Sequence, residues 1–256
     1  MSREDVRTNL ASWEADSADY QARNGAQLNR WDRLGWGTWD IPEDDIDALG
    51  DVDGLDALEL GCGACQFGIK VAMRGASVIG LDFSANQLSA AAESFDASGV
   101  RFPLVRASAE EIPFADGSFD LIFCDHGATS FTDPRITIPE CARVLRVGGM
   151  MVFNTATPFI SACWGDDDEL PGRELRRSYF DSRRRVLEEE TGPFVEWRTT
   201  YGEWIRVFRA SGFLIDDLIE LRPPVDAQTT YTDYASLEWA RDFPAEHIWK
   251  VRKEPG

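Results

Sequence analysis

The sequence predicts an α/β fold in which a doubly wound, mostly parallel sheet carries helices on both faces. Three observations point there. From Ala57 onward, short apolar runs alternate with stretches of helical spacing. The first of these runs breaks at Gly61-Cys62-Gly63, a turn that opens directly into a helix. The second ends on an acid, Asp82.

Residues 1–50 stand apart as a polar, aromatic N-terminal segment, with Trp13, Tyr20, Trp31, Trp36 and Trp39 among acids and small residues. Asn9 to Leu34 reads as one or two short helices, Gly35-Trp36-Gly37 as a turn, and Pro42 as the start of another helix. Ala57 to Leu60 is the first core strand, and Phe67 to Arg74 a helix stopped by Gly75. Ser77 to Asp82 is the second strand, after which Ser84 caps a helix that runs to Ala97 and ends at Gly99. Val100 to Val105 and Phe119 to Cys124 are the third and fourth strands. Asp133-Pro134 starts a helix reaching Leu145, in which Pro139 predicts a kink or a later start. Met150 to Phe153 is the fifth strand.

Residues 157–200 read as a solvated insert, because acids (Asp166 to Glu169, Glu188 to Glu190) and arginines (Arg176-Arg177, Arg183 to Arg185) crowd it. Tyr201 to Ala210 is a helix, Phe213 to Leu221 a strand, and Pro223-Pro224 opens a long polar loop. His247 to Lys253 is a final strand. The expected organisation is an N-terminal helical lid over residues 1–50 and a main domain over 51–256 that includes the insert.

Composition bounds the function. A chain of 256 residues can bury a core without disulfides. Lys+Arg 26 against Asp+Glu 45 gives a net charge of −19, which weighs against nucleic acid, anionic membrane surfaces and acidic protein partners. No apolar run approaches the roughly 20 residues that span a bilayer. The opening Met1-Ser2-Arg3-Glu4-Asp5 is too charged for a secretory signal, so a cytoplasmic protein is expected. The five cysteines, at 62, 65, 124, 141 and 163, are scattered through core elements as reduced, buried thiols are. Cys62 and Cys65 form a C-x-x-C, but no second close pair exists and the only histidines are His126 and His247, so no metal is expected.

The strongest constellation is the run from Glu59 to Cys65. Glycines at 61 and 63 let the backbone turn sharply and approach a ligand. In an open parallel sheet the ligand crevice lies beyond the strand C-termini, and Asp82, about 20 residues on, stands where a carboxylate accepts both ribose hydroxyls. The third glycine of a dinucleotide fingerprint is replaced by Gln66. Glu59 would repel a diphosphate and welcome an ammonium group. Charge therefore favours adenosine joined to an amino acid.

Four ordered stretches carry a resemblance: Glu59 to Ala72; Gly80-Leu81-Asp82-Phe83-Ser84; Glu110 to Phe114 with Asp116 to Asp120; and Arg143 to Gly149. Together they resemble the successive motifs of class I S-adenosylmethionine-dependent methyltransferases, in particular the group acting on small molecules. The resemblance covers residues 55–155 and implies a seven-stranded, Rossmann-like sheet with the insert after strand 5. It implies S-adenosyl-L-methionine as cofactor, with Glu59, Gly61, Cys62 and Gly63 along its methionine part. Asp82 would take the ribose and Phe83 the adenine face, with Ser108, Ala109 and Glu110 at the adenine edge and Gln87 as a further cofactor-binding residue. Asp125 would end the fourth strand near the sulfonium, and Tyr20 and Trp36 would close over the cofactor from the N-terminal segment. Two positions depart from the family pattern: Cys65 replaces a common glycine, and Ser108 an aspartate.

The implied reaction is in-line methyl transfer to a small-molecule acceptor whose attacking atom, O, N or C, stays open. His126 is the candidate base, with a purely structural role as its rival. The N-terminal aromatics form either a lid or packing for the first helix, and Trp164, Tyr179, Tyr201 and Trp204 are candidates for an acceptor pocket. His247 reads as a packing or surface residue. The rivals are an RNA methyltransferase, a non-catalytic S-adenosylmethionine-binding protein and a nicotinamide oxidoreductase.

Overall fold

Side chains alternate across a strand, so a sheet covered on both faces needs apolar residues at nearly every position. The central strands meet that demand. In the run Leu121-Ile122-Phe123-Cys124, Leu121 and Phe123 join one buried cluster while Ile122 and Cys124 join another on the opposite face. Ala57 and Leu58 divide in the same way, as do Val152 and Phe153. The computed structural model describes residues 3–165, 169–180, 184–189 and 191–255. Within the expected charge runs of the insert, residues 166–168, 183 and 190 lie outside the described residues, as do residues 1 and 2 of the charged N-terminus.

The elements follow in order: α1 (Arg3–Leu28), β1 (Gly35–Trp36), β2 (Ile41–Pro42), α2 (Glu43–Ile46), β3 (Asp56–Leu60), α3 (Gln66–Ala72), β4 (Ser77–Asp82), α4 (Ala85–Ser98), β5 (Leu104–Arg106) and β6 (Phe119–Asp125). Then come α5 (Gly127–Phe131), α6 (Pro134–Val144), β7 (Leu145–Ala156), α7 (Pro158–Cys163), β8 (Arg184–Glu189), β9 (Gly192–Trp197), α8 (Tyr201–Ala210), β10 (Phe213–Glu220), α9 (Leu237–Asp242) and β11 (Glu246–Lys253). Seven strands make the main sheet in the order β10-β11-β7-β6-β3-β4-β5. The pairs among β5, β4, β3, β6 and β7 are parallel, and β11 runs antiparallel to both neighbours. The chain leaves β3 toward β4 and β5, then returns to β6 on its other side. A crevice opens at such a reversal, beyond the strand ends.

Local chemistry explains the boundaries. Ser84 caps α4 by accepting from the Gln87 N–H at 3.2 Å, and Gly99 ends it in the left-handed conformation. Asp133 caps α6 through the Arg135 N–H at 3.0 Å. That helix starts at Pro134, not later, and runs through Pro139. It ends at Val144, and β7 takes up the chain at Leu145, five residues before the expected strand. The third strand contracts to Leu104–Arg106, just past Pro103.

Two segments differ more. The N-terminal residues form one helix, α1, with no hydrophobic periodicity to mark it. Its buried stripe is mostly polar: Asp5, Asn9, Ser12, Asp16, Asn24 and Gln27, spaced by three or four residues or multiples of that interval. The insert is solvated only in part. Its β8–β9 hairpin buries Phe194, Val195 and Trp197, and α1 docks on it: Asn9 Nδ2 donates to the Val195 carbonyl at 2.9 Å while Asn9 Oδ1 accepts from the Val195 N–H at 2.6 Å. Arg184 on β8 grips Asp5 at 2.7 Å. The polar loop after Pro224 contains α9, capped by Ser236 accepting from the Trp239 N–H at 3.2 Å.

Candidate functional site

A cavity of about 310 Å³ opens beyond the C-terminal ends of β3, β4 and β6, at the point where the strand order reverses. Its floor is the turn after β3. Gly61 has φ +73, and a Cβ there would lie 2.3 Å from the Ala128 backbone nitrogen, so only glycine lets α5 approach the turn this closely. Gly63 has φ +52, and a Cβ there would meet nothing nearer than Gln87 Oε1 at 3.5 Å, so the space this glycine spares is the cavity itself. Cys65 adopts φ +65 where the family pattern has glycine, and its thiol is fully buried under the turn.

Two carboxylates face this floor. Asp82 Oδ2 accepts from the Gly63 N–H and Oδ1 from the Ser84 N–H, each at 2.9 Å. A carboxylate offers about four lone-pair sites, so both oxygens keep capacity for a ligand. Burial raises the Asp82 pKa against the pull of those donors. Glu59 is also buried, and its Oε2 has no hydrogen-bond partner among the described residues. Burial pushes its pKa well above the usual carboxylate value, and the nearby Gly68 N–H and Lys70 offset only part of that. Glu59, Cys62 and Cys65 bring ligand atoms within 4.8 Å of one another. Burial holds the Cys62 thiol well above its ordinary pKa.

The opposite wall is built on the end of β6. His126 sits in the left-handed conformation, φ +56, and its Nε2 lies 2.5 Å from Glu246 Oε1 on β11. Glu246 is 1% exposed and also accepts from the Thr38 N–H at 2.9 Å, the Thr38 hydroxyl at 2.7 Å and Asn154 Nδ2 at 3.1 Å. Burial opposes its charge, but His126 and the Thr38 donors outweigh burial and hold its pKa below the ordinary value. For His126 burial favours the neutral ring, yet Glu246 and Asp125 prevail and raise the pKa. Asp125 accepts from the Gly37 N–H at 3.0 Å and Asn154 Nδ2 at 2.8 Å, and burial raises its pKa.

The roof comes from both ends of the chain. Tyr20 on α1 meets Tyr231 hydroxyl to hydroxyl at 2.7 Å, and burial pushes the Tyr20 pKa to about 12. Gln27 and Asn24 bond Thr230, and Gln21 bridges Gln66 at 2.6 Å and Gln87 at 3.3 Å. Trp13, Phe131, Tyr231 and Tyr234 line the cavity beside Tyr20.

Of the residues expected at the site, Glu59, Gly61, Cys62, Gly63, Asp82, Phe83, Gln87, Ser108, Ala109, Asp125, His126 and Tyr20 all line this one cavity. Two do not. Trp36 is fully buried in the core, its Nε1 donating to Glu43 at 2.5 Å and its ring 4.6 Å from Phe67; the flanking Gly35 and Gly37 line the cavity instead. Glu110 turns toward α6, where it accepts from the Asp133 N–H at 3.3 Å. Trp31 packs beside Cys62 and Cys65, and Trp39 lies in the core. None of Trp164, Tyr179, Tyr201 and Trp204 lines the cavity. Trp204 stacks on Phe208 in the core, Tyr201 lies tilted against His247, Trp164 meets Tyr234 edge-on, and Tyr179 is exposed. His247 is fully buried, and burial lowers its pKa to about 3. Sequence reasoning missed Glu246, whose signal was an acid at the head of a strand whose other charges, Lys250, Arg252 and Lys253, are all basic. It also missed Tyr231 and Tyr234, which sit in an aperiodic loop and gave none.

Residues 58–153 match a methyltransferase domain family. A ubiquinone biosynthesis O-methyltransferase of Aromatoleum aromaticum is 30% identical over 144 residues, 51% of this chain and 62% of that protein. A demethylmenaquinone methyltransferase of Staphylococcus aureus is 36% identical over 102 residues, 39% of this chain and 42% of that protein. The chain spans about half the length of the curated relatives it matches. Among solved structures, an S-adenosylmethionine-dependent methyltransferase from Mesorhizobium loti superposes with a TM-score of 0.64 at 26% identity, covering 81% of this chain and 95% of that one. A putative S-adenosylmethionine-dependent methyltransferase from Listeria monocytogenes shares the fold at a TM-score of 0.66 and 17% identity, over 83% of this chain and 97% of that one. With that domain match over residues 58–153 and a seven-stranded sheet whose β11 alone is reversed, the chain is similar in sequence and fold to S-adenosylmethionine-dependent methyltransferases.

Proposed function

We propose that the chain binds S-adenosylmethionine and transfers its methyl group to a small-molecule acceptor. The observation that carries this reading is Glu59, a buried carboxylate that lines the cavity beside the glycine turn and whose Oε2 has no hydrogen-bond partner among the described residues. A cation answers its charge, and an α-ammonium group is a cation of suitable size. Asp82 would hold the ribose hydroxyls, Phe83 and Ala109 the adenine, and the Gly61 to Gly63 backbone the carboxylate end. The bound donor supplies an electrophilic methyl on a sulfonium. What the chain supplies is position and exclusion of water, for which well-oriented groups lower barriers by about 7–11 kcal/mol.

Residues 1–50 serve in this reading as a cover on the methyltransferase domain of residues 51–256. The part that moves is α1, since Trp36 and Trp39 are fixed in the core. The polar stripe under α1 supports this, because water can replace its hydrogen bonds at small net cost. The net charge of −19 favours a neutral or cationic metabolite over nucleic acid. No helix among the described residues is long and apolar enough to cross a membrane, and five unpaired thiols support a reducing compartment such as the cytoplasm.

Calorimetry with S-adenosylhomocysteine tests the reading. Asp82→Ala removes the acceptor for two ribose hydroxyls and is expected to weaken binding by roughly 10- to 100-fold. Absence of binding by the folded wild-type protein, or unchanged affinity in the variant, sinks the assignment.

A further inference from the structure

We propose that Glu246 positions His126 as a general base for the hydroxyl of an aromatic acceptor, so that oxygen is the atom methylated. This rests on the methyltransferase reading above. The geometry begins with the 2.5 Å contact between Glu246 Oε1 and His126 Nε2. Glu246 is acceptor-only when ionised, so Nε2 must carry the hydrogen and Nδ1 is left with the lone pair. Nδ1 has no hydrogen-bond partner among the described residues, and the ring lines the cavity with 28% of its side chain exposed. The clamp does not depend on His126 alone: Thr38 and Asn154 hold the same Glu246 oxygens from two other elements. Tyr234 meets the His126 ring edge-on at 5.9 Å and fixes its plane.

The chemistry selects hydroxyl. A neutral amine attacks first and sheds its proton afterwards, when the product is acidic. A hydroxyl is a weak nucleophile until its proton leaves, so a base set in place beforehand matters most there. The proton passes to His126 Nδ1, the oxygen's electron pair forms the O–CH3 bond, and the pair of the broken C–S bond stays on sulfur. The resulting imidazolium faces Glu246. An aromatic hydroxyl, with a pKa near 10 as in tyrosine, lies within reach of an imidazole. The wall of Trp13, Tyr20, Phe131 and Tyr231 suits a flat ring.

The charged and titratable groups facing His126 are Asp125 on β6, Glu246 and His247 on β11, Arg198 after β9, and Tyr234 from the loop before α9. The acids stabilise the imidazolium and Arg198 opposes it.

Nuclear magnetic resonance of the two imidazoles tests the pair without substrate. His247, with its pKa lowered to about 3, is silent near neutrality, so one ring titrates. The wild-type ring is expected to carry its proton on Nε2 when neutral and to titrate above the ordinary 6.5. Glu246→Gln should lower that pKa, with Glu246→Asp recovering part of it. A neutral ring protonated on Nδ1 overturns the proposal with no variant needed, as does a titration unmoved by a folded Glu246→Gln. In turnover, catechol, 4-nitrophenol and 2-naphthol are compared with 4-nitroaniline and 2-naphthylamine by formation of S-adenosylhomocysteine. Methylation of phenols alone, rising with pH through the His126 pKa and reduced about 10- to 100-fold by Glu246→Gln, supports the proposal. Transfer only to anilines, or to no probe, overturns the hydroxyl assignment. Failure to bind S-adenosylhomocysteine removes the methyltransferase reading instead and leaves the resonance result intact.

Discussion

A carboxylate buried short of donors prefers to keep its proton. Glu59 is in that position, with burial raising its pKa well above the ordinary value. While the raised pKa persists the native state holds more protons than the unfolded chain, so this group lowers stability as pH climbs from its unfolded pKa toward its folded one. A bound ammonium reverses the preference. Uptake of S-adenosylhomocysteine should therefore release a proton, and affinity should rise with pH across the Glu59 titration. Calorimetry in buffers of different ionisation enthalpy reads the proton directly, and Glu59→Gln should abolish the release. No buffer dependence in the wild type would remove Glu59 from the ammonium site. This side of the cavity was legible in the sequence, since Glu59, the glycines and Asp82 belong to two neighbouring strand ends. The other side was legible only in part: Asp125 and His126 were expected there and line the cavity, but the partner of His126 was not foreseen. His126 and Glu246 are 120 residues apart, and only the antiparallel pairing of β11 with β7 brings them together. Trp36 was misread for the opposite reason: its neighbours reach the cavity while its ring turns into the core.

Among the elements, α1 shows what hydrophobic periodicity cannot see. A helix normally announces itself by an apolar stripe. Here Asp5, Asn9, Ser12, Asp16, Asn24 and Gln27 repeat at helical spacing and are buried through hydrogen bonds, so only fragmentary helix signals show in the sequence. Asn9 is the sharpest case. Asn9→Ala strands the Val195 N–H and removes the donor to the carbonyls of Phe131 and Val195. Each buried group left unpaired costs about 1–3 kcal/mol. Hydrogen exchange should show the amides of α1 and of the β8–β9 hairpin losing protection together, while β3 and β6 keep theirs. Uniform loss across the sheet would mean that α1 is not a separable layer. The hairpin itself was hidden by its charges, since Arg185 and Glu196 share a face with Phe194 while Arg184 and Glu188 share the other with Val195 and Trp197.

For the molecule as a whole, the central strands were easy to read because burial on both faces leaves unbroken apolar runs. The sheet's margins were harder, β5 being three residues long and β10 having exposed Leu214 and Ile215. A net charge of −19 repels itself in the compact state. Raising salt from about 0.01 M to 1 M shortens the screening length from about 30 Å to about 3 Å. Scanning calorimetry should then find Tm rising, by about 2–4 °C for each kcal/mol of repulsion relieved. A fall in Tm would show that exposed ion pairs such as Arg252–Asp216 outweigh the repulsion.

The clasp between Tyr20 and Tyr231 joins segments 211 residues apart, both of which line the cavity. In the proposed methyl transfer, a spent donor held behind it would leave only after that bond and the neighbouring amide bridges dissolve. Such an enzyme would complete its first cycle in a burst and then settle to a slower steady pace that falls as the solvent is made more viscous.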